Sequence, residues 1–306
     1  MDGIDGSMVT GHHPAARALP GRRAFPSAHE AAAPSAREAI SPPPAPGGRA
    51  GALLWLLPLP LVLLLALPLL ALGWRALAAG GSLTPATWAA LRQAMALSLA
   101  TSAVSTVLIV AFGTPLAFAL ARRRFPGSRA LNVLIDLPIV LPPSVAGIAL
   151  LLAFGRFGLV GRPLESLGVT VGFTTAAVVL AQTFVAAPFF VRAAVGAFSR
   201  IDRDLEEAAA DLGSGPWRTL RTVTLPLALP GLAAGAVLAW ARALGEFGAT
   251  IMFAGNFPGV TRTMPLAIYS AFGGGDLETA ILLAAALLLA SALTLGIVRA
   301  VAGRDR

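Results

Sequence analysis

Long apolar stretches constrain this chain more than any other feature of its sequence. The stretch from about Gln93 to Ala121 contains no charged side chain. A helix crosses about 30 Å of hydrocarbon with roughly 20 apolar residues, at about 1.5 Å per residue. Six stretches are long enough: about 51–73, 93–121, 130–154, 170–191, 223–253 and 277–298. The pattern predicts an all-α, polytopic membrane protein with about six transmembrane helices.

The composition agrees with this prediction. The 306 residues are 56% hydrophobic and 12% charged, whereas soluble domains carry about 25% charged residues. A surface with so few charges must face lipid over much of its area. The net charge of +8 does not indicate a nucleic-acid partner, because the arginines flank the apolar stretches, where they act as topology signals.

Missing residue types exclude several kinds of chemistry. The chain has no cysteine, and all 23 basic residues are arginine, so a thiolate metal site and the lysine of an ATP-binding P-loop are both excluded. The three histidines, His12, His13 and His29, precede the first apolar stretch. We therefore expect no catalytic residue, no metal site and no bound cofactor in this chain, and we interpret His12 and His13 as a solvated pair.

The N-terminal segment differs from the rest of the chain. Residues 1–49 are rich in Ala, Pro, Gly and Arg and show no apolar period, which predicts a disordered tail. Met8 offers a second start within it. The predicted domains are therefore a cytoplasmic tail over residues 1–49 and a transmembrane domain over residues 50–302.

Arginine placement predicts the orientation of the spans. With a cytoplasmic N-terminus, 17 arginines lie in cytoplasmic segments and 4 lie on the opposite side. Positively charged loops favour the cytoplasmic side. We therefore expect both termini in the cytoplasm.

The predicted cytoplasmic segment over residues 199–226 carries the most specific signals. Asp202 can cap a short helix, Gly213 can end it in a left-handed turn, and Pro216 suits the first position of a second helix. The alanines between them, Ala208, Ala209 and Ala210, give the first helix a slim face. The segment therefore predicts two short helices with a sharp joint, suited to insertion into a groove on a partner.

This segment resembles the coupling motif of ABC importer permeases. That motif reads Glu-Ala-Ala, three residues, Gly, nine residues, Ile-x-Leu-Pro. The matching positions here are Glu207, Ala208, Ala209, Gly213, Val223, Leu225 and Pro226, with valine in place of isoleucine as the only difference. We call residues 199–226 the coupling loop. Chance spacing in an amphipathic helix is the alternative interpretation.

The resemblance implies a fold, partners and a location. It implies the type I ABC importer permease fold and a homodimer in a bacterial inner membrane. It also implies a separate ATPase subunit that binds ATP and Mg and contacts Glu207, Ala208, Ala209 and Gly213. An extracytoplasmic binding protein would deliver an oxyanion.

The fifth apolar stretch carries two charges, Arg242 and Glu246. They are four residues apart and can pair on one helical face. We interpret them as a structural pair in preference to a direct contact with the transported anion. Gly245 and Gly248 would allow close helix approach. A turn is predicted over 256–259, and a short helix over 264–272. The candidate path residues are Arg242, Gly245, Glu246, Phe247, Gly248 and Thr250.

The segments over 137–147, 154–159, 245–256 and 264–269 resemble the molybdate branch of the ABC importers, with sulfate permeases as the nearest relatives. The resemblance covers about residues 50–300 and implies transport of molybdate or tungstate. Sulfate or thiosulfate, or another small solute, are the alternatives. An ion-coupled secondary transporter would leave the coupling loop without a purpose, and an intramembrane enzyme would lack catalytic groups.

The third stretch contains Asp136 and three prolines, Pro138, Pro142 and Pro143. We expect Asp136 to make a contact at a helix end near the inner interface, in preference to acting as a proton relay. Prolines interrupt the helical hydrogen-bond ladder. They indicate either an unwound stretch beside the path or a bent structural helix.

Overall fold

The computed structural model describes residues 56–79, 84–123 and 125–302. The predicted tail over residues 1–49 lies outside these ranges. The described residues 56–62 belong to one unit of the chain, and those from 63 to 302 belong to another. Within the described residues the regular structure is helical. The helices are α1 (Leu59–Ala79), α2 (Pro85–Arg122), α3 (Ser128–Val140), α4 (Pro143–Phe154), α5 (Gly161–Ser166), α6 (Thr175–Ser199), α7 (Arg203–Asp211), α8 (Pro216–Thr219), α9 (Leu225–Leu244), α10 (Gly248–Ala254), α11 (Met264–Gly273) and α12 (Leu277–Ala302), with a π-helical turn at Leu220–Thr224.

Five of the described helical segments are long and apolar enough to cross a membrane, and counting the bent pair of α3 and α4 as one span gives six. This confirms the predicted all-α fold with about six spans. The fourth span lies further along the chain than predicted, since α6 ends at Ser199. Arg192 looked like the end of that span but lies inside the helix, where a partner on α3 accommodates its charge.

Close packing of α2, α6 and α9 forms the main core in residues 63–306. Small residues allow it: a Cβ atom on Gly231 would lie 2.5 Å from the Cβ of Ala197, and one on Gly235 would lie 2.8 Å from that of Ala193. Phe190 of α6 is fully buried in this core. Glycine at these two positions lets the helix backbones approach closely, as membrane helices commonly do.

A row of hydroxyl side chains on α2 faces the core. Ser98, Thr101, Ser102 and Ser105 are all buried. The Ser105 hydroxyl donates to the Thr101 carbonyl at 2.8 Å, and Ser98 Oγ accepts the backbone N–H of Met264 at 2.7 Å. Buried polar groups in a membrane need internal partners. The row therefore ties α2 to the start of α11.

The third span is broken into two helices at Leu141 and Pro142. Their axes differ by 119°. Leu141 and Pro142 adopt extended backbone, with ψ of 133° at both residues, because a residue before proline avoids the helical region. The prolines therefore mark a short unwound stretch of two residues, and α3 and α4 are two separate helices and not one bent helix.

The fifth span is also interrupted, which corrects the prediction of one helix over 223–253. Helix α9 ends at Leu244, and α10 begins at Gly248 after a short non-helical segment. A Cβ atom on Gly248 would lie 2.5 Å from the Cβ of Pro143, and one on Gly147 would lie 2.7 Å from the Ala249 carbonyl. Helices α4 and α10 therefore pack closely because each has a glycine at the contact, Gly147 on α4 and Gly248 on α10.

The segment after α10 has the predicted turn and short helix. The Phe257 carbonyl accepts the backbone N–H groups of Val260 and Thr261, and Gly259 has a φ of +74°. Helix α11 follows. Asp276 then caps α12 by accepting the Thr279 N–H at 3.0 Å. Hydrogen bonds from the hydroxyl and the backbone N–H of Thr279 lower the pKa of Asp276.

Candidate functional site

The coupling loop forms the two short helices that its sequence predicts. Asp202 caps α7 by accepting the Asp204 N–H at 3.1 Å. At the other end, Gly213 has a φ of +82°. The N–H groups of Gly213 and Ser214 donate to the carbonyls of Ala210 and Ala209, at 2.8 and 2.9 Å. This is a Schellman motif, and α8 begins at Pro216 directly after it.

The matched motif residues of α7 face solvent. Glu207, Ala208 and Gly213 are exposed, and Ala209 is half-buried. Leu212 at the end of the helix is 91% exposed. Helix α7 has no buried residue in the single chain. The exposed face of α7 is thus narrow and partly apolar, and the described part of the chain does not cover it.

A π-helical turn connects α8 to the motif residues Leu225 and Pro226. Pro226 has no N–H to donate, and its ring crowds the carbonyl four residues earlier. Immediately before it, the ladder widens over Leu220–Thr224, where the Leu225 N–H donates to the Leu220 carbonyl. Leu225 and Pro226 are themselves exposed. The motif proline therefore marks the point where the coupling loop joins α9.

Glu206, which precedes the matched motif and is not part of it, fixes the position of α7. Its Oε1 accepts Arg122 Nη2 at 2.9 Å and the Thr224 hydroxyl at 2.7 Å. Arg122 also donates to the Ile201 carbonyl at 3.3 Å. One carboxylate thereby connects α7 to the end of α2 and to the start of α9. No local pattern reveals this partner, because Arg122 and Glu206 are 84 positions apart.

Arg242 and Glu246 form the pair that their spacing allows. Arg242 Nη2 lies 2.8 Å from Glu246 Oε2, and Glu246 is 1% exposed. Glu246 Oε1 also accepts the Ala249 N–H at 2.8 Å. The carboxylate therefore caps α10 while it neutralises Arg242, which agrees with a structural role. Arg242 is 29% exposed and lines a cavity of about 100 Å³ beside the break between α3 and α4.

The other candidate path residues have different surroundings. Gly248 makes the close approach to Pro143 described above. Gly245 does not, since its nearest neighbour lies 3.7 Å from a Cβ atom placed there, and the expectation of close packing at this position is wrong. The ring of Phe247 lies 5.1 Å from that of Tyr269, and Thr250 is fully buried.

Asp136 pairs across helices, which corrects the expected helix-end contact. Its two carboxylate oxygens accept Arg192 Nε and Nη2, both at 2.6 Å. Arg192 Nη1 donates to Asn132 Oδ1 at 2.6 Å. In the sequence, Asp136 lies inside an apolar stretch, whereas Arg192 directly follows one. The contact became visible only once α6 was seen to continue to Ser199, since charges within spans usually pair with one another.

Solved structures share this architecture. A chain of the MetNI methionine ABC transporter superposes with a TM-score of 0.58 at 20% identity, covering 73% of this chain and 100% of that one. A chain of a bacterial ABC transporter that imports alginate gives 0.63 at 18% identity, covering 84% and 95%. The fold is that of a type I ABC importer permease, a multi-pass membrane protein.

Sequence comparison agrees. The family model described as "Binding-protein-dependent transport system inner membrane component" matches residues 113–305, and the chain belongs to this family. It is thus a permease subunit of an ABC importer. The relatives include the molybdenum transport system permease protein ModB of Mycobacterium tuberculosis, which is 56% identical over 178 residues, or 58% of this chain and 67% of the relative.

Two further relatives are named for transport systems of different solutes. ModB of Escherichia coli K12 is 46% identical over 179 residues, covering 58% of this chain and 78% of the relative. The sulfate transport system permease protein CysW of Synechococcus elongatus is 40% identical over 199 residues, covering 65% and 69%.

Proposed function

We propose that this permease moves molybdate, or its chemical analogue tungstate, across the membrane into the cytoplasm. Identity of 46–56% to permeases named for molybdenum transport carries this proposal. Sulfate or thiosulfate is the second candidate. The named sulfate permease is less similar but matches a larger share of this chain. The two anions share charge and shape, so the cargo requires a direct test.

The proposed complex contains two copies of this chain, two copies of an ATPase subunit and an extracytoplasmic oxyanion-binding protein. ATP and Mg bind to the ATPase, and this chain performs no hydrolysis itself. Both termini lie in the cytoplasm of a bacterial cell, which places the coupling loop beside the ATPase. The exposed α7 surface, with Ala208 and Leu212, supports this assignment.

Coupling follows from the contacts of α7. When the ATPase moves α7, the contacts of Glu206 carry the motion to α2 through Arg122 and to α9 through Thr224. Glu206 Oε1 accepts one charge-assisted hydrogen bond from Arg122 and one from the Thr224 hydroxyl. Because both bonds end on the same oxygen, they connect α7 rigidly to α2 and α9. Substrate affinity resides chiefly in the binding protein, because tight binding in the path would slow release.

Uptake by the reconstituted importer tests the proposed cargo. Vesicles containing the chain, its ATPase and its binding protein should accumulate radiolabelled molybdate only when ATP is supplied. Excess tungstate should compete strongly, and excess sulfate weakly. Uptake of sulfate that molybdate does not inhibit would contradict the molybdate assignment. Uptake that persists without ATP would contradict the ABC importer mechanism itself.

Substitutions in the coupling loop test the docking surface. Gly213→Pro prevents the left-handed turn, and Ala208→Trp adds bulk to the exposed face of α7. Either change should abolish co-purification of the ATPase while leaving membrane insertion at the wild-type level. Leu159→Trp is the control, because Leu159 is 87% exposed in the segment between α4 and α5. Wild-type yields of ATPase with both loop variants would contradict docking on α7.

A further inference from the structure

Arg192 makes all of its side-chain hydrogen bonds to α3. Its Nε and Nη2 donate to the two oxygens of Asp136 at 2.6 Å each. Its Nη1 and Nη2 donate to the side chain and the carbonyl of Asn132, at 2.6 and 3.0 Å. A guanidinium that donates to both oxygens of a carboxylate forms a bidentate contact, which is strong and directional. The pair therefore fixes α3 to α6.

The pair is not shielded within the single chain. Arg192 is 34% exposed and Asp136 is 46% exposed, although both lie in helices that form apolar spans. Charged groups at such positions are costly against lipid and face protein or a water-filled cavity. The exposed side of the pair therefore borders an aqueous path or the second copy of the chain.

Residues close to the pair along α3 and α6 line the cavity to which Arg242 contributes. Pro138, two residues after Asp136, and Phe189, three residues before Arg192, both line that cavity of about 100 Å³. Helices α3 and α6, which carry the Asp136–Arg192 pair, thus also border this cavity, and each of the two arginines, Arg192 and Arg242, has a carboxylate partner.

The two carboxylates differ in how firmly they are held. Glu246 is buried and also caps α10, so it is fixed in place. Asp136 lies on α3, which has no buried residue and packs mainly against α6. Asp136 is therefore the carboxylate that can separate from its arginine, by movement of α3 away from α6.

Both helices adjoin the coupling loop. Helix α6 continues from Arg192 to Ser199, and the chain then enters α7. Helix α3 follows α2, whose last residue Arg122 binds Glu206 of α7. Displacement of α7 is therefore transmitted to the base of both helices that carry the pair.

We propose that Arg192 is an oxyanion-contacting residue on the coupling-loop side of the path, and that Asp136 is its latch. In the closed state Asp136 occupies the guanidinium and repels a dianion. When α3 separates from α6, the same two N–H donors meet two oxygens of the tetrahedral anion. This proposal rests on the proposed function and names the residue that would act at the exit of the path.

Efflux and uptake by the reconstituted importer test the latch. The cargo is radiolabelled molybdate, with sulfate in parallel. Asp136→Asn should raise ATP-independent efflux from preloaded vesicles roughly tenfold, which corresponds to about 1.4 kcal/mol in the closed–open equilibrium. Arg192→Gln should lower ATP-driven uptake without raising efflux, because the contact for the anion is lost. Glu165→Gln, which removes the partner of the exposed Arg156, is the control and should leave both rates unchanged.

The reversed pair separates a latch from a structural contact. Asp136→Arg combined with Arg192→Asp restores an ion pair but moves the guanidinium to α3, so uptake should stay low. The proposal would be overturned if the reversed pair restored uptake and Asp136→Asn did not raise efflux. If Asp136→Asn fails to insert, Asn132→Ala should raise efflux to a smaller extent, and unchanged efflux would count against the latch. Wild-type vesicles that take up neither anion would refute the proposed function instead.

Discussion

Glu206 and Glu207 are neighbours in the sequence with different surroundings. Glu206 is half-buried and contacts Arg122 and Thr224, whereas Glu207 is exposed on α7. A carboxylate held by two donors stabilises the position of its helix, and an exposed one remains free for a partner. Glu206 therefore attaches α7 to the membrane helices, and under the proposed function Glu207 is available for contact with the ATPase.

Replacement of Glu206 should destabilise the chain more than replacement of Glu207. Glu206→Ala leaves Arg122, whose side chain is 10% exposed, without its carboxylate. The expected loss is about 2 kcal/mol, since hydrogen bonds to charged groups contribute roughly 1.5–3 kcal/mol. The measurement is thermal unfolding of the purified chain in detergent. Glu207→Ala should unfold near the wild-type midpoint, and equal midpoints for the two variants would show that Glu206 does not anchor α7.

At the scale of elements, the contact between α4 and α10 depends on glycine. A methyl group at Gly248 would overlap Pro143, whereas one at Gly245 would make only an ordinary van der Waals contact, 3.7 Å from the Ala241 carbonyl oxygen. Two broken spans therefore meet at one tight contact. Because α10 is short, its position depends on that contact and on the cap from Glu246.

Gly248→Ala should destabilise the chain by about 1–3 kcal/mol, the usual cost of overpacking. The matched control is Gly245→Ala three positions earlier, which should be neutral or slightly stabilising because it reduces the freedom of the unfolded chain. Thermal unfolding in detergent compares the two variants. A Gly248→Ala variant as stable as Gly245→Ala would show that the α4–α10 contact is looser than the structure indicates.

Signals that act over a few residues predicted the elements well. The cap at Asp202, the turn at Gly213 and the start of α8 at Pro216 were all predicted, because each depends on one residue and its near neighbours. The prolines after Asp136 indicated a discontinuity, although not its angle. The coupling loop was located by the spacing of its motif.

Contacts between distant parts of the chain were not predictable in the same way. Arg192 was taken as the end of a span because its partner Asp136, 56 positions away, was unknown. The role of Glu206 was not predicted because its partner Arg122 is even more remote, at 84 positions. The break at Gly245 was missed, since the apolar pattern continues across it and the non-helical segment is stabilised by the buried Glu246.

At the scale of the whole molecule, charged side chains connect the coupling loop to successive membrane helices. The coupling loop connects to α2 and α9 through Glu206, and α3 connects to α6 through Arg192. The cavity beside the α3–α4 break lies next in this sequence and includes Arg242. Under the proposed function, this order takes motion from the ATPase to the oxyanion path, provided that the coupling loop lies in the cytoplasm.

Single cysteines test that placement directly, because the chain has none of its own. An Ala208→Cys variant and a Leu159→Cys variant are each treated with a membrane-impermeant thiol reagent, in intact cells and in inverted vesicles. With the coupling loop in the cytoplasm, Ala208→Cys should react only in inverted vesicles and be protected when the ATPase is bound, and Leu159→Cys should react only in intact cells. Labelling of Ala208→Cys in intact cells would place α7 on the wrong side of the membrane and contradict the account.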